Sequence, residues 1–441
     1  MIIEPQFRTK FGDNLWSDKE RIGRMLAFEH CLANGQAEVG IIPSDSAAAI
    51  NSVEWDTAGT FTHIFEQAKT AGNLAIPFIE SLKVSLASQN SLVVPHVHFG
   101  ATSQDLLDTS VMLALAATFD QIHSNLLDIE NLLTDLSERH KSTPMVGRTL
   151  HQQAAPITFG LKVAKWAMAI HEAAQKIKRT RHETLAVQLG GPAGTLTSMQ
   201  PHGTQIRSFL ATQLKLSDPG YSWHTDRSRI LTACSTMAQV AGILAKISND
   251  FLLMMQNEIG EISEGNPGGS SSMPHKQNPV CTLIPLSVLP IISAQLATIA
   301  SLQAHPQERS AGEWHAEWII IPSMSSLTLS GIEQTHLLLS KLQVNDSQMA
   351  KNLENTKGSL ATSELKNLLS SSISAKRSSE LVEILLKGDN TEGFSIAALA
   401  NSELVAAVGK EELQTLFSYR DHLKESEQET KRILNKIKTI S

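Results

Sequence analysis

Cysteine and aromatic residues are scarce in this sequence of 441 residues. The three cysteines, Cys31, Cys234 and Cys281, are far apart and odd in number, so they can form neither a disulfide framework nor a four-cysteine zinc site. Aromatic residues make up 5% of the chain, which is less than an all-β sandwich of this length normally uses. These absences favour a helical protein of the reducing cytoplasm.

An excess of positive charge is also absent. Lys and Arg number 37 against 44 Asp and Glu, which gives a net charge of −7 with His neutral and argues against nucleic-acid binding through a broad basic face. The N-terminus contains acids, Pro5 and no apolar run, so no signal peptide is predicted. No stretch of about eighteen residues lacks polar groups, so no membrane span is predicted either. The sequence therefore predicts a cytoplasmic globular protein with a large core.

Proline is missing from three long stretches of the chain, between Pro95 and Pro144, between Pro219 and Pro267, and after Pro322. Because proline interrupts helices, and because apolar residues recur there at three- and four-residue steps, long helices are expected. The predicted long helices span 105–141, 157–187, 226–262, 280–302 and 314–342. The third is apolar on most sides, which is typical of a helix packed on several sides, including by other subunits.

These patterns predict an all-α protein of three domains. Residues 1–105 form shorter helices with loops, residues 106–345 form one bundle of five long helices, and residues 346–441 form a polar helical domain. No dinucleotide-binding glycine fingerprint precedes a helix, so a Rossmann domain is not expected. The predicted helices of the C-terminal domain lie near 361–387, 395–408 and 411–438.

Three polar segments interrupt the apolar helices, and the first is HVHFGATSQD at 96–105. Thr102 and Asp105 have the spacing of a capping box, so a helix starts here. The unpaired N–H groups of a helix N-terminus also bind carboxylate or phosphate. His96 and His98 suggest a metal pair, but no third ligand is near in sequence, so no metal site is predicted.

The second polar segment is GRTLHQQAAP at 147–156, which leads into the predicted helix at 157–187. Taken alone, this segment is weak evidence for a functional site, because Arg148 can be an ordinary ion-pairing residue. The third segment, GNPGGSSSMPHKQNP at 265–279, begins with flexible Gly and Ser and ends in a stiff polar stretch between two prolines. That pattern is typical of a lid that closes over a ligand.

The three segments together resemble the signature regions of the fumarase/aspartase superfamily of lyases: ATSQD at 101–105, GRT at 147–149 and GSSSMPHKQNP at 269–279. They occur in the same order and at the same spacing, and the resemblance covers nearly the whole chain. It implies a three-domain, mostly helical subunit and a homotetramer. In that tetramer the five long helices of each subunit form one twenty-helix core, and each active site takes one segment from each of three subunits.

Within the superfamily the sequence is most similar to the bacterial 3-carboxy-cis,cis-muconate cycloisomerases. HFGATSQDLLDT at 98–109, GRTLHQQAAPITFGLK at 147–162 and QERSAGEWHAEW at 307–318 carry this likeness, and adenylosuccinate lyases have an ERDISHSSVER-like stretch in place of the last. The likeness implies interconversion of 3-carboxy-cis,cis-muconate and its γ-carboxymuconolactone, in the protocatechuate branch of the β-ketoadipate pathway. It implies no cofactor. The alternative is an adenylosuccinate-lyase-type β-elimination that releases fumarate.

The resemblance also implies roles for individual residues. Ser270 stands at the position of the superfamily's catalytic serine, six residues before Lys276, and closure of the lid would supply donors to its oxyanion. Lys276 and Asn278 match the carboxylate-binding positions of the motif. Arg227, Arg229 and Arg309 are candidates for binding the extra carboxylates of the substrate, and for each the alternative is a structural ion pair. For His315 the alternative is packing between Trp314 and Trp318. The full set of candidate substrate-binding residues is Thr102, Ser103, Gln104, Arg148, Thr149, Asn278, Arg227, Arg229, Arg309 and His315.

The proton carrier is the least determined of these roles. Fumarases and purine-pathway lyases have His directly after GRT, whereas this sequence has Leu150 there and His151 next. A helix rotates about 100° per residue, so His151 need not face the same site. His98 is the first candidate for the carrier, with His224 and His315 behind it.

Overall fold

The computed structural model describes residues 4–55, 58–265, 267–387 and 393–440. The fold is mostly helical, as the sequence predicts. The α-helices are α1 (Lys10–Leu15), α2 (Asp18–Glu38), α3 (Ser44–Asn51), α4 (Ala58–Ala71), α5 (Ala75–Ala87), α6 (Ser103–Arg139), α7 (Phe159–Glu183), α8 (Gly203–Gln213), α9 (Ser228–Met254), α10 (Val280–Ser301), α11 (Glu313–Ser340), α12 (Asp346–Glu354), α13 (Thr362–Ser370), α14 (Ala375–Lys387), α15 (Phe394–Ala400), α16 (Ser402–Val408), α17 (Lys410–Phe417) and α18 (Arg420–Ile440).

The structure also contains short strands, which the sequence analysis did not predict. They form two antiparallel two-stranded sheets, β1 with β2 and β3 with β4. Short 3₁₀ turns occupy Pro5–Phe7, Ser91–His96, Thr197–Met199 and Ser359–Ala361. The strands are β1 (Pro144–Thr149), β2 (Gln152–Thr158), β3 (Ile262–Glu264) and β4 (Leu342–Val344).

The five predicted long helices are confirmed as α6, α7, α9, α10 and α11, and the bounds of α7 and α9 are corrected, with α7 ending at Glu183 rather than near 187. Helix α9 ends at Met254 rather than near 262, because Gly260 has a positive φ of 58° and Ile262 pairs with Val344 in the second sheet. Helix α7 begins at Phe159 rather than at Ile157, which pairs with Met145 in the first sheet. Thr158 then caps α7, since its Oγ1 accepts a hydrogen bond from the N–H of Leu161.

The second polar segment is therefore a β-hairpin and not the start of a helix. Strands β1 and β2 pair from Pro144 with Thr158 to Thr149 with Gln152, and the register shifts after Gly147. Ala154 is the extra residue of this bulge. The helical rotation that the sequence analysis assumed around His151 does not apply, because His151 lies in the hairpin turn.

Each of the three predicted C-terminal helices is divided into two. Asn401 caps α16 by accepting a hydrogen bond from the N–H of Leu404, and Gly409, with φ 95°, separates α16 from α17. Tyr419, with φ 56°, separates α17 from α18. Side chains of α13 to α17 form a common apolar core: Leu365, Leu369, Leu381, Val382, Leu385, Phe394, Ala398, Leu404 and Leu413.

The chain forms two compact units, whose boundaries fall within the long helices. Unit 1 comprises 1–126, 173–245 and 284–334, and unit 2 comprises 127–172, 246–283 and 335–441. Both sheets belong to unit 2. The three-domain division of the sequence at 105 and 345 stays a prediction.

Two helices, α9 and α10, are long and apolar enough to cross a membrane by length and composition alone. Core helices of proteins outside membranes pass the same test, and one or two such helices are weak evidence for a membrane span. The most apolar window of α9 is 56% buried, but that of α10 is only 33% buried. Leu283 and Ile291 of α10 are exposed, so a single subunit leaves much of this apolar helix uncovered.

Candidate active site

Asp105 organises the start of α6 in unit 1. Its buried carboxylate accepts hydrogen bonds from the N–H groups of Thr102, at 3.1 Å, and of Gly190 and Gly191, both at 2.9 Å. His224 Nε2 lies 2.7 Å from the same carboxylate. The contact with Thr102 is one half of the predicted capping box, and it fixes the backbone of the first polar segment.

The side chains that follow differ in their availability. Thr102 and Ser103 are half-buried, and their hydroxyls have no hydrogen bond within the part of the chain that the structure describes. The amide of Gln104 is fully buried and donates to Asp108, at 3.1 Å, and to the carbonyl of His224, at 2.8 Å. Thr102 and Ser103 are therefore open to a ligand, whereas the amide N–H groups of Gln104 are occupied.

Arg227 lies at the centre of a buried ion network. Its guanidinium donates to Asp108 at 2.8 and 3.1 Å and to Glu317 at 3.0 and 2.5 Å, and Trp314 Nε1 adds a bond of 2.8 Å to Asp108. Burial lowers the pKa of Arg227, but Asp108 and Glu317 raise it by more, so the net shift is upward. With both carboxylates bound in this way, Arg227 supports the fold and has no donor free for a substrate.

The other two predicted arginines of unit 1 also make protein contacts. Arg229 donates to the carbonyls of Glu183 and Thr184, at 3.2 and 3.1 Å, and so caps the C-terminal end of α7. Arg309 donates through Nε to Gln104, at 3.1 Å, and through one terminal nitrogen to the Pro192 carbonyl, but it stays exposed. Arg309 is therefore the best placed of the three to bind an anion.

His98 and Glu29 form a carboxylate–imidazole pair. Glu29 is buried on α2, and its Oε1 lies 2.6 Å from His98 Nδ1. Burial lowers the pKa of His98, but Glu29 raises it and Asp105 adds to the rise, so the pKa lies above its ordinary value. Because Glu29 fixes Nδ1 as the donor, Nε2 is left for proton exchange.

The other two candidates for the proton carrier, His224 and His315, do not combine a carboxylate partner with a ring nitrogen left for proton exchange, as His98 does. His224 is buried, and both of its ring nitrogens are engaged, Nε2 by Asp105 at 2.7 Å and Nδ1 by Ser222 at 3.0 Å. His315 is exposed and lies against the rings of Trp314 and Trp318, with centroids 5.4 and 4.5 Å away. These contacts favour His98 over His224 and His315 as the proton carrier.

His96 has a separate partner from His98. His96 Nδ1 lies 2.9 Å from Ser46 Oγ, whereas His98 Nδ1 is bound by Glu29. In the described ranges no group of three or more His, Cys, Asp or Glu side chains is arranged to hold a metal ion.

The hairpin of unit 2 presents the GRT segment. Arg148 makes a bidentate pair with the fully buried Glu261, at 3.0 and 2.7 Å, which is the ordinary ion pair that the sequence analysis left open. Thr149 is exposed at the end of β1. The turn residues Leu150 and His151 have positive φ of 49° and 63°, and Leu150 is 94% exposed. A branched apolar residue is rare in this left-handed backbone region. The tip of the hairpin, formed by Leu150 and His151, is therefore strained as well as exposed to solvent.

The third polar segment is a loop closed at its base. Gly268 and Asn278 exchange backbone hydrogen bonds of 2.8 and 2.7 Å, and Asn278 Nδ2 also donates to the Gly269 carbonyl. Ser270 Oγ accepts hydrogen bonds from the N–H groups of Met273, at 3.1 Å, and Ser272, at 3.4 Å. Two such donors favour the serine oxyanion.

Lys276 is exposed in this loop. It makes no ion pair with any residue that the structure describes, so its ammonium is available for a carboxylate. Unit 1 thus holds His98, Thr102, Ser103, Gln104, Arg227, Arg229, Arg309 and His315, and unit 2 holds Arg148, Thr149, Ser270, Lys276 and Asn278.

Comparison with known proteins agrees with these features. The sequence model of the family described as "Lyase" matches residues 4–284. The chain is similar to a 3-carboxy-cis,cis-muconate cycloisomerase of Bradyrhizobium diazoefficiens, with 35% identity over 91% of this chain and 90% of that one. It is also similar to an N-acetyl-S-(2-succino)cysteine lyase of Enterococcus italicus, with 30% identity over 83% and 80%.

Its fold matches the crystal structure of the 3-carboxy-cis,cis-muconate lactonizing enzyme from Pseudomonas putida, with a TM-score of 0.90, 30% identity and 98% coverage of both chains. The chain therefore belongs to the lyase family of the fumarase/aspartase superfamily.

Sequence reasoning missed the buried acids that position the predicted residues. Glu29 holds His98, Glu261 holds Arg148, and Glu317 holds Arg227. A signal for Glu29 does exist, because it is the one acid within the mostly apolar stretch MLAFEHCLA of α2. A charged residue on a buried helix face needs a partner.

Proposed function

We propose that this chain catalyses the interconversion of 3-carboxy-cis,cis-muconate and γ-carboxymuconolactone. The observation that carries the proposal is the loop of unit 2, where the Ser270 oxygen accepts two backbone N–H bonds and Lys276 has no protein ion pair among the described residues. Such a loop suits a reaction in which negative charge develops on a substrate that is already anionic. The relatives named cycloisomerase and lactonizing enzyme support this substrate.

In the lactonising direction a substrate carboxylate oxygen forms a bond to one alkene carbon. The electron pair of the double bond moves to the neighbouring carbon and onto its carboxylate, which gives an aci-carboxylate. Lys276 neutralises that charge, with Asn278 supporting the loop. Ser270 passes a proton to the carbon, and its oxyanion is stabilised by the N–H groups of Ser272 and Met273.

His98 is the first candidate for the source of this proton. Its imidazolium re-protonates Ser270 and then regains a proton from solvent. In the reverse direction the proton leaves the carbon, the lactone C–O bond breaks, and the leaving group is a carboxylate. One proton is consumed per lactone formed, so the reaction is balanced without a cofactor.

The proposed assembly is a homotetramer whose active sites combine residues of three subunits, as the superfamily resemblance implies. Two observations support it. Helix α10 leaves apolar side chains such as Leu283 and Ile291 exposed in one subunit. The strained hairpin tip exposes Leu150 almost completely, and strain of this kind persists where it serves a function.

An absorbance assay tests the proposed reaction. Lactonisation removes the conjugated diene, so the ultraviolet absorbance of 3-carboxy-cis,cis-muconate should fall when the purified protein is added. Adenylosuccinate and N-acetyl-S-(2-succino)cysteine are assayed in parallel, each for release of fumarate. A kcat/KM that is higher for either of these than for the muconate would contradict the proposal and favour β-elimination from that substrate.

The pH dependence of this reaction tests the pair of His98 with Glu29. Glu29 holds the pKa of His98 above its ordinary value, so the protonated imidazole survives to higher pH than usual. In Glu29→Gln the lowering effects of burial and Lys83 are no longer opposed by that charge, although Asp105 still raises the pKa. We therefore expect lactonising activity to be lost at a lower pH in the variant, measured as the alkaline limb of kcat against pH.

The matched control is Glu38→Gln, the same change at an exposed position of α2. Its pH profile should overlie that of the wild type. An unchanged alkaline limb in folded Glu29→Gln protein would remove His98 from the proton path.

A further inference from the structure

A cavity of about 290 Å³ lies beside the β1–β2 hairpin of unit 2. Thr149 and the bulged residue Ala154 line it from the hairpin, Lys162 and Lys165 from α7, and Lys246 from α9. Arg148 also reaches its wall. The cavity thus combines several cations with the exposed threonine of the GRT segment.

Two of these cations are paired and two are not. Arg148 is bound by Glu261, and Lys246 is bound by Asp250. Lys162 and Lys165 have no carboxylate partner within the ranges that the structure describes. The recorded contact of Lys162 is with the ring of Trp166, at 5.8 Å from its centroid. An excess of positive charge therefore remains in the cavity.

In the absence of a ligand, the unpaired positive charge in the cavity is unfavourable at Lys162. Its side chain is half-buried, and burial lowers its pKa, with Lys246 and Arg148 lowering it further against the opposing effects of Asp250 and Glu261. An anion in the cavity would offset both the burial and the repulsion. Lys165 is exposed at the same cavity and adds attraction at longer range.

The proposed substrate needs more cations than the predicted arginines provide. It carries three carboxylates, and Lys276 accounts for one. The donors of Arg227 are taken by Asp108 and Glu317, and Arg229 caps a helix end. Arg309 remains for a second carboxylate, which leaves the third without a free Lys or Arg side chain among the residues that the sequence singled out.

We infer that the cavity beside Thr149 is a carboxylate-binding subsite, in which Lys162 pairs with one carboxylate group of the substrate. This inference rests on the proposed function for the identity of the substrate. The cavity itself requires only a small multivalent carboxylate.

Binding of tricarballylate, a saturated tricarboxylate that cannot lactonise, tests the subsite without turnover. Isothermal titration of the 441-residue chain should give a Kd for the wild type and a Kd at least about tenfold weaker for Lys162→Met, because one charge-assisted contact is lost. Lys178→Met, the same change at an exposed position of α7 that does not line the cavity, should stay within about twofold of the wild type. Inorganic phosphate serves as the probe for a general anion site.

A steric variant makes the test independent of charge. Ala154→Leu fills the cavity from the exposed bulge and leaves every lysine in place, so it should weaken tricarballylate binding as well. Lys162→Arg keeps the charge and should bind within a few-fold of the wild type. Circular dichroism and molecular mass in solution establish that each variant is folded and assembled.

The outcomes separate the subsite from the proposed reaction. Three results would contradict the assignment of the cavity as a carboxylate-binding subsite. They are an unchanged tricarballylate affinity in folded Lys162→Met, no binding by the wild type, and binding of phosphate but not of tricarballylate. If tricarballylate binds through Lys162 but 3-carboxy-cis,cis-muconate is not turned over, the subsite stands and the proposed function fails. If the muconate is turned over and Lys162→Met raises its KM about tenfold with little change in kcat, both are supported.

Discussion

Lys276→Met is expected to lower kcat to less than about a hundredth of the wild-type value without disturbing the fold or the proposed tetramer. Lys276 is exposed on the loop and pairs with no carboxylate among the described residues, so its loss should not disturb the fold. In a closed site, the loss of one group that stabilises developing charge costs about two to three orders of magnitude in kcat. The rate of muconate lactonisation at saturating substrate measures this.

The matched control for this variant is Lys351→Met, which makes the same change at an exposed position of α12. It should retain wild-type activity. A Lys276→Met protein that keeps more than a tenth of the wild-type kcat would remove Lys276 from the mechanism, and the aci-carboxylate would then need another cation.

Arg227→Met is expected to lower the free energy of unfolding by about 3–5 kcal/mol, because it leaves two buried carboxylates without a counter-ion. Asp108 and Glu317 both lose bonds of 2.5–3.1 Å to the guanidinium. Urea denaturation at a fixed subunit concentration measures the loss. Arg229→Met is the matched control, and we expect about 1–2 kcal/mol from its two bonds to backbone carbonyls.

The effect of pH on this variant has a defined sign. Burial raises the pKa of Glu317 even when Arg227 opposes the rise, and without Arg227 that pKa rises further. A carboxyl with a raised folded pKa destabilises the protein above its unfolded pKa, so acidification should restore part of the stability of Arg227→Met. Equal losses in Arg227→Met and Arg229→Met would show that the buried network does not support the fold.

The long helices could be predicted because their apolar residues repeat with the helical period and because proline is absent from most of them. All five begin within two residues of their predicted starts, including α10 and α11, which contain proline. The hairpin was missed for a physical reason. Its turn places Leu150 and His151 at positive φ, where sequence rules expect Gly or Asn.

Within the candidate site, only the residues that belong to recognisable motifs could be predicted from the sequence. The loop with Ser270 and Lys276 could be singled out, because a flexible linker has no need for Met, His, Lys and Asn packed between two prolines. The state of Arg227 could not be predicted, since its partners Asp108 and Glu317 are separated from it by 119 and 90 residues. The burial of a charged residue depends on such distant contacts, and sequence spacing carries no information about them.

We propose that this chain converts 3-carboxy-cis,cis-muconate at active sites that several subunits complete together. The most direct test is to mix Ser270→Ala with His98→Asn, each inactive alone, let the subunits reassort after mild denaturation, and measure lactonisation. If the loop and the first polar segment of a site come from different subunits, random assembly should restore about a quarter of wild-type activity, and either variant reassembled alone should stay inactive. No recovery in tetramers shown by mass spectrometry to be mixed would place both segments in one subunit and contradict the account.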